Sequence, residues 1–331
     1  MEKSLDTKLT DIRTNPHSNA FIIAYAADPD MSWGVATFDS DSSIQDYCEG
    51  LAELVEGANI DVLLTSVSSM DILAREKRLF GTSSVTPAVR ANDTTDLWAA
   101  RGAQYTTLPS RPFATTTIEE AQYGTLLPAP DQTPDVNLGL YSVTFNNDLD
   151  ADWHSLEQFK AFRTEATRKG FRYFLEVFNP NVPNCGLGSE EIPTYVIDQI
   201  ARMLAGIPRA SRPEFLKIAY NGPRAMEALV NYDPTVIVGI LGGVTSTTYD
   251  AFKLISEAKK HGARVALFGR RIKGAENPLA FVDVLRNVAD GLLSPEEGVK
   301  TYRDALEKLG IPPLRSLEDD MVLFTPGLQE A

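Results

Sequence analysis

Histidine and cysteine are scarce in this chain. Its 331 residues include three histidines and two cysteines. His17, His154 and His261 form no HxH or HExxH spacing, so a histidine-based zinc or iron centre is disfavoured and no metal is expected. Cys48 and Cys185 lie far apart and outside any CxxC spacing. That excludes a disulfide framework and fits a reducing compartment. Basic residues are also few: 31 Lys and Arg stand against 45 Asp and Glu, a net charge of −14. Such a field repels phosphate backbones, so no nucleic-acid partner is expected. No apolar run reaches the roughly 18 residues that span a bilayer. Residues 1–16 are polar and contain no apolar signal core, so the expectation is a cytoplasmic protein with no membrane partner. No GxGxxG follows the first apolar strand, which argues against a dinucleotide-binding doubly wound sheet. No internal repeat points to a solenoid.

What is present is ordinary globular material, 43% hydrophobic and 23% charged. At roughly 150 residues per domain the length allows about two domains, but one α/β barrel commonly takes it all. From residue 137 onward the pattern alternates. Strands are expected at 137–145, 171–178, 215–220, 235–241 and 263–268. Helices are expected at 153–169, 192–204, 223–230, 245–261, 278–289 and 295–309, from apolar spacings of three and four and from glycines at their ends. An acidic turn is read at 147–152. The first half is less regular. It offers strands at 20–26, 61–65 and 87–91, a helix at 46–56, and a Thr/Pro/Ala-rich excursion at 92–135 with one short helix near 118–122. Eight strands with helices between them point to a single-domain (β/α)8 barrel over 20–310, with an N-terminal segment at 1–19 and a tail at 311–331.

Barrel enzymes carry their chemistry at the C-terminal ends of the strands. That selects Asp28, Asp30, Arg90, Glu176, Lys217, Tyr220, Gly242, Gly243, Gly269, Arg270 and Arg271. Lys217 lies in Phe-Leu-Lys217-Ile, an apolar strand where a cation is costly to bury. Desolvation favours the free amine, which attacks carbonyl carbon; a lysine snorkelling outward between helices fits the same sequence. Glu176, in Phe-Leu-Glu176-Val, reads either as a proton-transfer carboxylate or as a structural ion-pair partner. The two would face each other from adjacent strands. Gly242-Gly243 and Gly269-Arg270 follow the seventh and eighth strands, where barrels frequently bind phosphate through backbone N–H groups. They fit turns as well. Asp28 and Asp30 end the first strand and could orient a substrate or form an Asx turn.

In chain order, Ala-Ala-Asp28, Phe-Leu-Glu176-Val, Leu-Lys217-Ile, Gly242-Gly243-Val and Phe-Gly269-Arg270 resemble the motifs of a known family. It is the class I, Schiff-base aldolases of the archaeal-type fructose-bisphosphate and tagatose-bisphosphate group, relatives of deoxyribose-phosphate aldolase. The resemblance runs mainly from 137 to about 309. It implies an imine on Lys217, proton transfer by Glu176, substrate orientation by Asp28, and a phosphate grip of Gly242, Gly243, Gly269 and Arg270. It also implies a sugar-phosphate substrate, no cofactor and a homo-oligomer. Two departures stand out. Asp30 occupies a position where the family often has an arginine, which favours a monophosphate over a bisphosphate. The fourth-strand lysine of the tagatose branch is absent, and Tyr141 is the candidate acid in its stead. A phosphate-binding barrel isomerase and a non-catalytic sugar-phosphate-binding barrel remain open alternatives.

Overall fold

The computed structural model describes residues 1–38, 42–57, 59–98, 100–243 and 247–329. Eight parallel strands close into a barrel in sequential order: β1 Ile22–Ala27, β2 Val62–Thr65, β3 Thr86–Arg90, β4 Leu138–Thr144, β5 Arg172–Phe178, β6 Leu216–Ile218, β7 Val238–Leu241 and β8 Val265–Phe268. The alternation of a strand sends successive residues to opposite faces. Ile22, Ala24, Val62, Leu64, Leu138, Leu140, Phe174, Val265 and Leu267 therefore share one buried cluster filling the barrel. Their strand neighbours Ile23, Tyr25, Leu63, Tyr141, Val143, Leu175 and Val177 join the layer under the helices. Phe174 and Phe215 stack at 4.6 Å within the inner cluster.

The lower end of the barrel is closed by α1, Ser4–Thr14. Its Leu5 and Leu9 belong to the inner cluster. The outer helices are α2 Ile44–Gly57, α3 Leu149–Arg168, α4 Ile192–Ala205, α5 Pro223–Tyr232, α6 Thr248–Lys260, α7 Pro278–Ala289 and α8 Pro295–Leu309. The expected acidic turn at 147–152 is largely the start of α3, because Asp148 caps the helix by accepting from the Ala151 N–H at 2.9 Å. The expected start of α6 at Thr245 lies outside the described residues, as does Val244. Between β3 and β4 the chain makes a two-strand antiparallel ladder, Asp93–Thr94 with Pro112–Phe113, and a short helix, Ile118–Tyr123, capped by Thr117 and Glu120. The tail returns to the barrel: the N–H groups of Phe324 and Thr325 each donate to Asp250 Oδ1 at 2.8 Å. Among the described residues no helix is long and apolar enough to cross a membrane.

Candidate active site

Strand register aligns the candidate groups. Ser142 on β4 lies beside Glu176 on β5, Glu176 beside Lys217 on β6, and Lys217 beside Gly239 on β7. The four form one layer at the upper end of the lumen. A Cβ at Gly239 would meet Leu216 O and Val265 Cβ, each at 2.7 Å. Only glycine fits where β7 packs so closely between β6 and β8.

Lys217 Nζ stands 2.5 Å from Glu176 Oε1. Glu176 Oε2 accepts from the Ser142 hydroxyl at 2.7 Å. That hydroxyl in turn accepts from Arg90 Nη1 at 3.0 Å. Arg90, at the end of β3, uses Nε to pair with the Asp28 carboxylate at the end of β1. Asn92 locks Ser142 in place, since its side chain accepts from the Ser142 N–H at 2.7 Å and donates to the Ser142 carbonyl at 2.9 Å. The result is a continuous chain of buried groups, Asp28–Arg90–Ser142–Glu176–Lys217, none more than 8% exposed. Two carboxylates are matched by two cations, as burial of charge demands. Burial alone would raise the Asp28 carboxyl; the Arg90 charge and then Lys217 outweigh it and hold the group below the usual aspartate range. Burial alone would lower the Arg90 guanidinium; the charges of Asp28, Glu176 and Asp93 overcome it and hold the group above the ordinary arginine range.

Above this chain opens a cleft of about 290 Å³ lined by Asp28, Arg90, Glu176 and Lys217 below and by Gly242, Gly243, Gly269 and Arg270 at one side. The glycines are there for close approach. A Cβ at Gly269 would meet Ala26 O at 2.5 Å, one at Gly242 would meet Phe268 Cδ1 at 2.5 Å, and Gly243 has φ +66°. Arg271 braces this corner from behind: it bonds Gly242 O and donates to Asp250 Oδ2 at 2.7 Å. Arg270 is exposed and makes no ion pair among the described residues, so its charge is available to the cleft.

Seven of the eight expected site residues therefore meet around one cleft. Tyr141 does not. The period of two that turns Leu140 and Ser142 inward turns Tyr141 outward, where it stacks on Phe162 at 4.4 Å under α3. The inward hydroxyl beside Glu176 is that of Ser142. Asp30 also points elsewhere, accepting from the Ser66 hydroxyl at 2.6 Å. Ser142 was legible from strand alternation alone. Asn92 and Asp96, which also lines the cleft, carry no local signal. Among the described residues no group of three or more His, Cys, Asp or Glu is arranged to hold a metal ion.

The chain's architecture is shared with known proteins. An archaeal fructose 1,6-bisphosphate aldolase superposes with a TM-score of 0.61 at 18% identity, covering 87% of this chain and 100% of that one. A further structure of an archaeal fructose-1,6-bisphosphate aldolase, with its catalytic lysine covalently bound to the carbinolamine intermediate, gives the same values. A fructose-bisphosphate aldolase from Slackia heliotrinireducens gives a TM-score of 0.65 at 13% identity, with 91% of each chain covered. At such identities the likeness is one of fold. No protein-family model matches the chain, and no curated protein matches it in sequence.

Proposed function

We propose that the protein is a class I aldolase that makes or breaks a carbon–carbon bond in a sugar phosphate through a Schiff base on Lys217. One observation carries the reading: an amine and a carboxylate 2.5 Å apart, buried at the upper end of the lumen, where the amine faces a cleft. Retro-aldol cleavage leaves a carbanion, and a protonated imine is the electron sink a lysine can supply. Nζ hands a proton to Glu176 Oε1 and attacks the substrate ketone. Glu176 returns that proton to the carbinolamine hydroxyl as water leaves, and the iminium forms. The β-hydroxyl then gives its proton to the Glu176 carboxylate, and the carbon–carbon bond breaks with its electron pair passing into the iminium, giving an enamine and an aldehyde; Glu176 keeps that proton for the enamine carbon. Protonation of the enamine and hydrolysis of the resulting imine release the second product.

The Ser142 hydroxyl, itself held by Arg90, keeps Glu176 Oε2 occupied, so Oε1 is left for the lysine. Asp28 orients substrate hydroxyls. Backbone N–H groups at Gly242, Gly243 and Gly269, with Arg270, hold the phosphate of a ketose-phosphate or dihydroxyacetone-phosphate unit.

The test is inactivation by borohydride. With dihydroxyacetone phosphate present, borohydride abolishes activity irreversibly, in chelator as well as in plain buffer. Borohydride alone leaves it intact. Survival of activity after borohydride and substrate together, or an activity lost to chelator and restored by zinc, contradicts the reading.

A further inference from the structure

The cleft is electrically lopsided. Four cations line it: Arg90, Lys217, Arg270 and Lys273. Arg90 and Lys217 belong to the buried chain of charges. Arg270 and Lys273 both sit on the single turn Arg270–Lys273 that follows β8. In a closed eight-strand barrel β4 lies opposite β8. The group over the end of β4 is Asp96, brought there by the excursion after β3. Its Oδ2 accepts from Thr144, the last residue of β4, at 3.1 Å, and its Oδ1 accepts from Ser110 at 2.5 Å. A carboxylate has about four lone-pair sites, so these bonds leave acceptor capacity toward the cleft. Leu97 of the same excursion, Phe178 at the end of β5 and Trp33 after β1 are further walls of the cleft. Nearby Asp93 is pushed up to about 6, first by burial; Arg90 opposes this, and the like charges of Asp28 and Asp96 add to it.

We infer that Asp96 is a specificity-determining residue: the end of the cleft facing away from Arg270 takes an uncharged, hydroxyl-bearing aldehyde and rejects a phosphorylated one. This rests on the proposed aldolase chemistry and names the substrate half that the phosphate grip does not hold. A second phosphate at that end would meet a carboxylate that makes no ion pair among the described residues, and like charges juxtaposed are costly. A hydroxyl there donates to Asp96 and rests its carbon skeleton on Leu97 and Phe178.

The experiment is aldol addition of dihydroxyacetone phosphate to D-glyceraldehyde and to D-glyceraldehyde 3-phosphate, each as kcat/KM. Wild type prefers glyceraldehyde by about tenfold or more, equivalent to about 1.4 kcal/mol. Asp96→Asn, which keeps an acceptor oxygen for Ser110 and Thr144 but no charge, brings the two aldehydes toward parity. High salt narrows the wild-type preference in the same direction, a reading that needs no variant to fold. Preference of wild type for the phosphorylated aldehyde, or a preference that neither Asp96→Asn nor salt changes, overturns the inference. Trapping with borohydride and dihydroxyacetone phosphate alone needs no aldehyde. A trapped imine with the wrong aldehyde preference overturns only the role of Asp96, whereas absence of any imine overturns the aldolase reading beneath it.

Discussion

Replacing Arg90 by methionine removes the cation that holds two buried carboxylates together. Arg90 pairs with Asp28, bonds Ser142 at 3.0 Å and stands 3.6 Å from Glu176 Oε2, with 4% of its surface exposed. Breaking a buried ion pair from one side costs about 3–5 kcal/mol, because the remaining charge loses its compensation. Unfolding entropy is about 2.1 cal/mol/K per residue, so 331 residues give about 0.7 kcal/mol/K and a fall in Tm of about 4–7 °C at pH 7. The sign of the pH dependence follows from Asp28. Its carboxyl is held below the usual range by Arg90 and Lys217 against the opposing effect of burial. That contribution is full above the unfolded aspartate value of about 3.9 and is lost as pH falls through the lower folded value. The variant has lost most of it at every pH. The Tm gap between wild type and Arg90→Met is therefore widest near pH 7 and narrows below about pH 4. Arg90→Lys keeps the charge without the planar fork that reaches both Asp28 and Ser142, and falls between the two. Thermal unfolding followed by circular dichroism from pH 3 to 8 reads all three proteins. A gap independent of pH would mean that Arg90 contributes packing alone, and the charge chain would have to be redrawn.

Glu176→Gln keeps the shape of the side chain and its bond with Ser142 but cannot accept the lysine proton; kcat falls about 10²–10⁴-fold while the circular dichroism spectrum is unchanged. An unaltered kcat would reduce Glu176 to a structural partner. Arg270→Ala weakens binding of a phosphorylated substrate by about 1.5–3 kcal/mol, roughly 10- to 150-fold, and leaves an unphosphorylated analogue nearly untouched in parallel titrations. Equal losses for both would remove the phosphate assignment. Tyr141→Phe leaves kcat and its pH profile as in wild type, because the ring lies beneath α3; a large loss of kcat would return Tyr141 to the lumen.

The barrel is legible in the sequence where local pattern and tertiary role agree. Strands such as 171–178 and 263–268 are apolar on both faces because the lumen covers one and the helices the other. Pro278–Ala289 and Pro295–Leu309 carry their boundaries in proline at the start and a full amphipathic stripe. α1 carries only Leu5 and Leu9 as fully buried residues. So thin a stripe predicts no helix, although the barrel floor is what buries it. The candidate site is legible to the same degree. Lys217, Glu176 and the glycine corner announce themselves as polar or small residues at the ends of apolar strands. Tyr141 misleads because its chemistry fits an acid while its register faces it outward. Asp96 and Asn92 are silent because their contacts are made only once the long connection after β3 folds back over β4, and no local spacing encodes that return.

The central claim is a covalent bond between substrate carbon and Lys217. Incubation with dihydroxyacetone phosphate and borohydride, followed by proteolysis and mass spectrometry, places the reduced adduct on the peptide containing Lys217, and Lys217→Met abolishes both the adduct and turnover. An adduct on another lysine, with Lys217→Met still active, contradicts the account.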